Sequence, residues 1–268
     1  MPKPLLPWVG GKSRCVIPIV NQFPTEMESY HEPFVGGGSI LFQVLHAIDV
    51  GRMRVKNVYA SDTNMDLIHM YIQVQQSPFD VLRHLQHVHS EWARIPLVHG
   101  NQHPTNLHEA QSSKESYYYW IRAEYNAMSD EERMSPLRAA YFMFLTRTGL
   151  RGGVGFGHMD RVTMVDEDHI RTIHHLIRPV LFQVQPYHES LARVNEGDMV
   201  YLDPPSIQNG FSIANTRDLV RTVHDLPCRW KLSPSSDTLD LFHPAMYSIV
   251  PVGPRPADIL ISPLPQRA

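Results

Sequence analysis

The sequence predicts an α/β protein, a mostly parallel sheet that carries an inserted helical subdomain. Three observations predict it. Strand-like apolar runs alternate with helical patterns at both ends of the 268-residue chain, which is the pattern of βα units. Residues 77 to 164 change character and read as helical segments rich in His, Tyr and Arg. Glycine or Asp-Pro turns follow several predicted strands, at the edge where open sheets bind ligands.

The elements follow in order. After a turn at Gly10-Gly11-Lys12, Cys15 to Phe23 is apolar and reads as a short helix despite Pro18. Tyr30 to Phe34 is a strand end running into Gly36-Gly37-Gly38, and Ser39 to Ala47 follows as a helix with Ile40, Leu41, Val44 and Leu45 on its apolar face. Val55 to Ser61 is a second strand ending at Asp62, and Met65 to Gln75 another helix. Beyond the helical region, strands are predicted at Val180–Val184, Met199–Leu202, Trp230–Leu232, Tyr247–Val252 and Ile259–Ser262. The division is therefore 1–75 and 165–268 for the sheet domain, with 76–164 inserted.

Composition narrows the class. Hydrophobic residues at 43% and charged residues at 19% are ordinary for a soluble globular chain and wrong for a disordered one. Cys15 and Cys228 lie too far apart in sequence to form a Cys-rich zinc module or a disulfide framework. No apolar run reaches the roughly 18–20 residues that cross a bilayer, and Met1-Pro2-Lys3-Pro4 lacks a secretory apolar core. The expectation is a cytosolic, reduced protein with no membrane partner. With 24 Lys+Arg against 27 Asp+Glu the net charge is −3, so the total gives no argument for a nucleic-acid partner.

The most informative string is Tyr201-Leu202-Asp203-Pro204-Pro205-Ser206. Two prolines have no N–H to extend a central strand. Asp203 therefore stands at a strand's carboxyl end, either as a ligand-facing acid or simply ahead of a strand-terminating turn. In Glu32-Pro33-Phe34-Val35-Gly36-Gly37-Gly38-Ser39, the glycines permit positive φ and close approach of a ligand to backbone. The string is not GxGxxG, and a purely structural tight turn remains open. Asp62, 24 residues after Gly38, is placed to accept hydrogen bonds from ribose hydroxyls, although Ser61-Asp62-Thr63-Asn64 also suits a helix N-cap. Pro7-Trp8-Val9-Gly10-Gly11-Lys12 sets an aromatic and a cation beside a flexible turn.

Taken in this order, the strings resemble the Dam-like (D12 class) family of DNA adenine-N6 methyltransferases. Trp8, Gly10, Gly11 and Lys12 look like its W-x-G-G-K segment, and Glu32 to Ser39 its E-P-F-x-G-x-G-S loop. Asp62 to Ile68 is similar to D-x-N-x-x-L-I, and Asp198 to Pro205 to the D-x-V-Y-x-D-P-P strand. Lys231-Leu232-Ser233 and Ile259 to Ser262 look like its closing strand ends. The resemblance covers nearly the whole chain and is weakest between about 75 and 135.

It implies a Rossmann-like S-adenosylmethionine-dependent methyltransferase sheet with an inserted helical target-recognition subdomain, acting on a flipped adenine in double-stranded DNA. The implied cofactor-binding residues are Trp8, Gly10, Lys12, Pro33, Phe34, Gly36, Gly38, Ser39, Asp62, Asn64 and Asp203, with Phe34 as one wall of an adenosine slot. Lys12 and the loop N–H groups suit a carboxylate, and an acid suits an ammonium. The implied catalytic segment is Asp203, Pro204, Pro205 and Ser206. There the Asp203 carboxylate and the Pro204 carbonyl each accept an N–H from the target amine and aim its lone pair, so that positioning and electrostatics carry catalysis. No metal is expected. A monomer or weak dimer in the cytoplasm of a bacterial or phage-infected cell, within or outside a restriction-modification pair, completes the expectation.

The chain departs from this family at Ser206, where the family carries an aromatic that stacks on the flipped base. Such stacking is worth roughly 1–3 kcal/mol per base. Three readings follow: adenine methylation with another ring such as Phe211 taking that place, a different reaction or base, or a DNA-binding relative without catalysis. In the insertion, Arg133, Arg138, Arg147, Arg151 and Arg161 face a single acid, Asp160, a local +4 able to contact phosphates or merely a solvated face with ion pairs. Phe144 to Gly152 resembles F-L-N-R-x-G-[YF]-N-G, with Leu150 at the wedge position and Arg151 where the family has Asn. An apolar Leu can still wedge between base steps, and Arg favours guanine in the major groove. Arg147, Leu150, Arg151 and Arg161 are thus the DNA-binding candidates. His84, His87 and His89 read as solvated surface histidines rather than zinc ligands, Tyr117 to Trp120 as core aromatics, and both cysteines as buried thiols.

Overall fold

A computed structural model describes residues 2–149, 157, 165–256 and 258–264. The chain forms two compact units, one built from Gly10–Asn64 with the chain from Pro179 onward, the other from Pro4–Val9 with Met65–Arg178.

The first unit holds the sheet. Its strands are β1 (Glu26–Glu32), β2 (Arg54–Asp62), β3 (Val180–Val184), β4 (Met199–Leu202), β5 (Arg229–Leu232), β6 (Tyr247–Pro251) and β7 (Ile259–Pro263), in the order β3-β2-β1-β4-β5-β7-β6. All neighbouring pairs are parallel except those made by β7, which is antiparallel to β5 and β6. The mostly parallel α/β sheet expected from the sequence is therefore present. The chain runs outward from β1 to β3 and returns to β4 on the other side of β1, so the order reverses between β1 and β4. Ligands bind at such a point, outside the strands' carboxyl ends.

Apolar burial positions these ends. The unit carries α1 (Val16–Val20), α2 (Ser39–Asp49), α9 (Tyr187–Leu191) and α10 (Ile213–His224). Every residue of α2 from Ser39 to Leu45 is buried, and it starts on Gly38, whose φ of 72° is left-handed and suits a residue with no Cβ. On the other side of β4, Val200 and Leu202 pack with Leu219 and Val223 of α10 and with Trp230 and Leu232 of β5. Burying all four residues of β4 is what a central parallel strand requires. It anchors Asp203 at the end of a fully buried strand.

The second unit is helical: α3 (Met65–Gln76), α4 (Pro78–Arg94), α5 (Leu107–Ala110), α6 (Lys114–Ala127), α7 (Pro136–Thr148) and α8 (Glu167–Ile177). The starts of four of these helices are capped by side chains: Asn106 accepts from Glu109 N, Ser113 from Ser116 N, Ser135 from Arg138 N and Asp166 from His169 N, each satisfying a donor left free at a helix start. Chain order assigns Met65–Gln75 and the segment from 165 to the sheet domain. By contacts, α3 and α8 group with the helical unit: α3, whose Leu67, Ile68 and Tyr71 are buried, packs against α7, α8 and α4.

His89 departs from the sequence expectation of three solvated histidines. It is buried against Phe144, and burial, with Arg147 nearby, holds its imidazole down at about 4, so it stays neutral. An apolar environment disfavours the imidazolium, and α4 turns this position inward while leaving His87 exposed. Tyr117 and Tyr118 are core residues as expected, and both cysteines are buried.

Candidate active site

Three strand ends converge in the first unit. Asp203 follows β4, and its Oδ1 lies 2.5 Å from Lys12 Nζ, with each side chain about one-fifth exposed. Lys12 also donates to the carbonyl of Gly10 at 3.3 Å, and Gly10 sits at a φ of 82°, which turns the chain so that the lysine reaches back. Burial pushes the Asp203 carboxyl up while the Lys12 ammonium pulls it down. The strand end itself is clamped: Ser233 N donates to the Leu202 carbonyl at 2.8 Å, and the Tyr201 and Ser233 hydroxyls are 2.9 Å apart.

Glu32 ends β1 and is almost fully buried. Tyr30 Oη donates to it at 2.7 Å. Burial, opposed by that bond and reinforced by the charge of Asp203, raises its carboxyl to about 8. The site thus holds one neutral acid beside one lysine-paired carboxylate.

The glycine loop is tied to β2. Val35 N donates to the Ser61 carbonyl at 3.0 Å and Gly38 N to the Val35 carbonyl at 2.9 Å, with Gly36 and Gly38 both at positive φ. Asp62 bridges the two segments, one oxygen accepting from Gly36 N at 3.2 Å and the other from Asn64 N at 2.9 Å. It serves both as the Asx-turn acid at the start of α3 and as the clamp on the loop. Burial raises its carboxyl against these N–H donors. The Ser39 hydroxyl lies 3.2 Å from that of Ser13.

Phe34 lies within a ring cluster. Tyr187 stacks on it at 5.4 Å and Phe211 meets it edge-on at 5.6 Å. Tyr187 is anchored by donating to Asp218 Oδ2 at 2.6 Å. Ser206 opens a single 3-10 turn, Ile207–Asn209, and its hydroxyl accepts from Asn209 Nδ2 at 2.9 Å. Phe211, buried in the α10 core, is packed against Phe34.

A family model described as D12 class N6 adenine-specific DNA methyltransferase matches residues 8–218, most of the chain. The chain belongs to that class. Relatives in it include the type II methyltransferase M.MjaIII of Methanocaldococcus jannaschii, 26% identical over 219 residues, covering 76% of this chain and 68% of that protein. The type II methyltransferase M1.LlaDCHI of Lactococcus lactis subsp. cremoris is 24% identical, covering 76% and 66%. The DNA adenine methylase of Salmonella typhi is 27% identical, covering 75% and 63%. The chain thus spans about two thirds of the length of these relatives.

In this D12-class chain, the first unit brings together Gly10, Lys12, Pro33, Phe34, Gly36, Gly38, Ser39, Asp62, Asn64 and Asp203 with the Pro204-Pro205-Ser206 turn. Trp8 belongs to the helical unit and is half-buried there. Arg147 is also in the helical unit, its guanidinium donating to the Leu5 carbonyl. Leu150, Arg151 and Arg161 lie outside the described residues. The other two described arginines of the +4 stretch are engaged: Arg133 with Asp130 at 3.0 Å, and Arg138 with Asp66 at 2.9 Å and the face of Tyr125. Sequence reasoning missed Tyr187, whose signal was an aromatic three residues past β3, at the same sheet edge as Phe34. It also missed the neutral Glu32 as an electrostatic component of the site.

Among the described residues, no helix is long and apolar enough to cross a membrane, and no group of three or more His, Cys, Asp or Glu is placed to hold a metal.

Proposed function

We propose that this chain transfers a methyl group from S-adenosylmethionine to the N6 amine of a flipped adenine in double-stranded DNA. The observation that carries the proposal is Asp203, a carboxylate fixed at the sheet's switch point and neutralised on one oxygen by Lys12 at 2.5 Å. The donor set fits the cofactor. Lys12, Asp62 and Asp203, with Glu32 neutral below about pH 8, give a pocket with one net negative charge, matching a cofactor that carries one net positive charge. The cofactor, when bound, supplies an electrophilic methyl group on a sulfonium.

The chain's own residues bind and orient. Gly36 and Gly38 bring backbone close to a ligand, Asp62 offers acceptor oxygens beside the loop, and Phe34 with Tyr187 gives a flat apolar wall. Lys12 occupies Oδ1 of Asp203 and leaves Oδ2 to accept an N–H from the amine. Pro204 contributes only a carbonyl, a second acceptor. Two fixed acceptors bias the nitrogen toward tetrahedral geometry before reaction, so no covalent intermediate with the enzyme is needed. Leu150, Arg151 and Arg161 are the proposed contacts to DNA, in a cytoplasmic enzyme acting as a monomer or weak dimer.

Ser206 favours a second reading, a family member that binds DNA and acts differently on a base or does not catalyse. It removes the ring expected to hold the extruded base, and Phe211 is committed to Phe34 and the α10 core. The experiment is transfer of tritium from methyl-labelled S-adenosylmethionine to unmethylated DNA, with Asp203→Ala as control. Incorporation lost in the variant supports the proposal. No incorporation on any DNA while the cofactor still binds favours the second reading.

A further inference from the structure

The β6–β7 hairpin turns at the end of the sheet that carries Asp203. Strand β7 is antiparallel, and its register sets Ile261 opposite Leu232, which lies opposite Leu202. Residues ahead of Ile261 therefore extend past the carboxyl end of β4. The tip is held by its own bonds. Val252 N donates to the Asp258 carbonyl at 2.7 Å, Asp258 N to the Arg255 carbonyl at 2.9 Å, and Arg255 N to Asp258 Oδ2 at 3.1 Å. Pro251, Pro254 and Pro256 each fix a φ angle, which stiffens the turn further.

This tip meets the turn that presents Lys12. Cys15 is 2% exposed, and its N donates to the Lys12 carbonyl at 2.8 Å, closing the turn just ahead of α1. The Cys15 thiol donates to the Asp258 carboxylate. Burial, the Asp258 charge and that bond push the thiol up against the pull of Lys12 and Arg255, so it stays protonated and remains a donor. Gly253 packs against the same sulfur. A Cβ there would stand 2.5 Å from Cys15 Sγ, 2.6 Å from Asp258 Oδ2 and 2.7 Å from Asp258 Cβ, about 1 Å inside ordinary contact. Gly253 has no left-handed φ, so close approach rather than backbone conformation is what calls for glycine.

The contacts form a continuous path. Gly253 and Asp258 hold Cys15, Cys15 N closes on the Lys12 carbonyl, and Lys12 Nζ ends 2.5 Å from Asp203 Oδ1. A lysine side chain is long and flexible, and holding it on one carboxylate oxygen requires its backbone to be fixed. We infer that Gly253 and Asp258 are positioning residues for methyl transfer, a role that rests on the function proposed above: the hairpin tip seats Cys15, Cys15 closes the turn, and the turn aims Lys12 at Asp203. Neither residue touches the reacting atoms. Their effect reaches the reaction only through the ammonium that occupies Oδ1 and leaves Oδ2 to the amine.

Two readouts on the full chain test this. Acetylation by acetic anhydride, resolved residue by residue by peptide mass spectrometry, reports the Lys12–Asp203 pair without any turnover, with exposed Lys56 as internal standard. Gly253→Ala raises the Lys12 rate severalfold relative to Lys56, because an amine freed from its carboxylate is open to the reagent. The pH profile of methyl transfer at saturating cofactor is the second readout. Its acidic limb moves up by about one unit in Gly253→Ala, the lower end of what an adjacent cation is worth to a carboxylate. Cys15→Ala removes the thiol link without adding bulk, moves both readouts the same way, and decides the matter should Gly253→Ala fail to fold. Ile249→Ala, in the same hairpin on β6, lowers stability and moves neither. Unchanged Lys12 reactivity in the folded variants, an unmoved acidic limb, or equal changes from Ile249→Ala overturns the inference. Should the wild type transfer no methyl group, the proposed function fails, and acetylation still decides whether the hairpin sets Lys12.

Discussion

Replacing Glu32 by Gln tests the electrostatic account of the site without touching its shape. Glu32 is 3% exposed, hydrogen-bonded to Tyr30 Oη, and raised from 4.5 to about 8. The folded state therefore holds a proton that the unfolded chain releases above about 4.5. The stabilisation from this group is complete below that value and is lost as pH rises through about 8. Gln keeps the volume and the acceptor for Tyr30 and carries no proton to lose. Within the window, each pH unit costs the wild type about 1.4 kcal/mol relative to Glu32→Gln. Between about pH 5.5 and about pH 7.5 the variant should gain about 2–3 kcal/mol on the wild type. Urea unfolding of both chains across this range measures the difference directly, because groups common to both cancel. Parallel stability curves would refute the reasoning and show that Glu32 is ionised in the fold.

Three other perturbations probe separate parts of the molecule. Lys12→Met removes the cation that pulls Asp203 down, so the acidic limb of methyl transfer at saturating cofactor moves to higher pH; an unmoved limb removes Lys12 from that role. Ser206→Tyr restores a ring at a half-buried position and should raise kcat/KM by about ten- to hundredfold, the worth of one base-stacking contact; no gain means that another ring already stacks on the base. Arg138→Ala strips Asp66 of its partner at 2.9 Å and Tyr125 of its cation. It should cost about 2–3 kcal/mol, somewhat under the loss for a fully buried pair, seen as a lower denaturation midpoint with an unchanged slope.

Strands β3 and β4 were legible because they are largely apolar and end at strong punctuation. Met199–Leu202 was bounded by Asp198 and by Pro204-Pro205, and Val180–Val184 by Pro179 and Pro186. Asp203, Lys12 and the glycine loop were legible from residue type and order. What escaped was set by tertiary contact. Tyr187 begins a helix of only five residues, too short for periodicity to place its ring against Phe34. His89 was read as exposed because two other histidines share its helix, and only packing against Phe144 shows it turned inward. The polar face of β1 and β2 was invisible for the opposite reason. Ser29, His31, Tyr59 and Ser61 alternate as a solvated face does, yet three of the four are buried. The arginine-rich stretch shows the limit of counting charge, since Arg138 is largely buried in an ion pair with Asp66.

The central claim is that Asp203 positions an adenine amine for methylation. It is tested most directly by nucleoside mass spectrometry of unmethylated double-stranded DNA incubated with the chain and S-adenosylmethionine. The account predicts N6-methyladenine from the wild type and none detectable from Asp203→Ala. Unmodified adenine with the wild type, a methyl group on another base, or equal N6-methyladenine from both chains would contradict it.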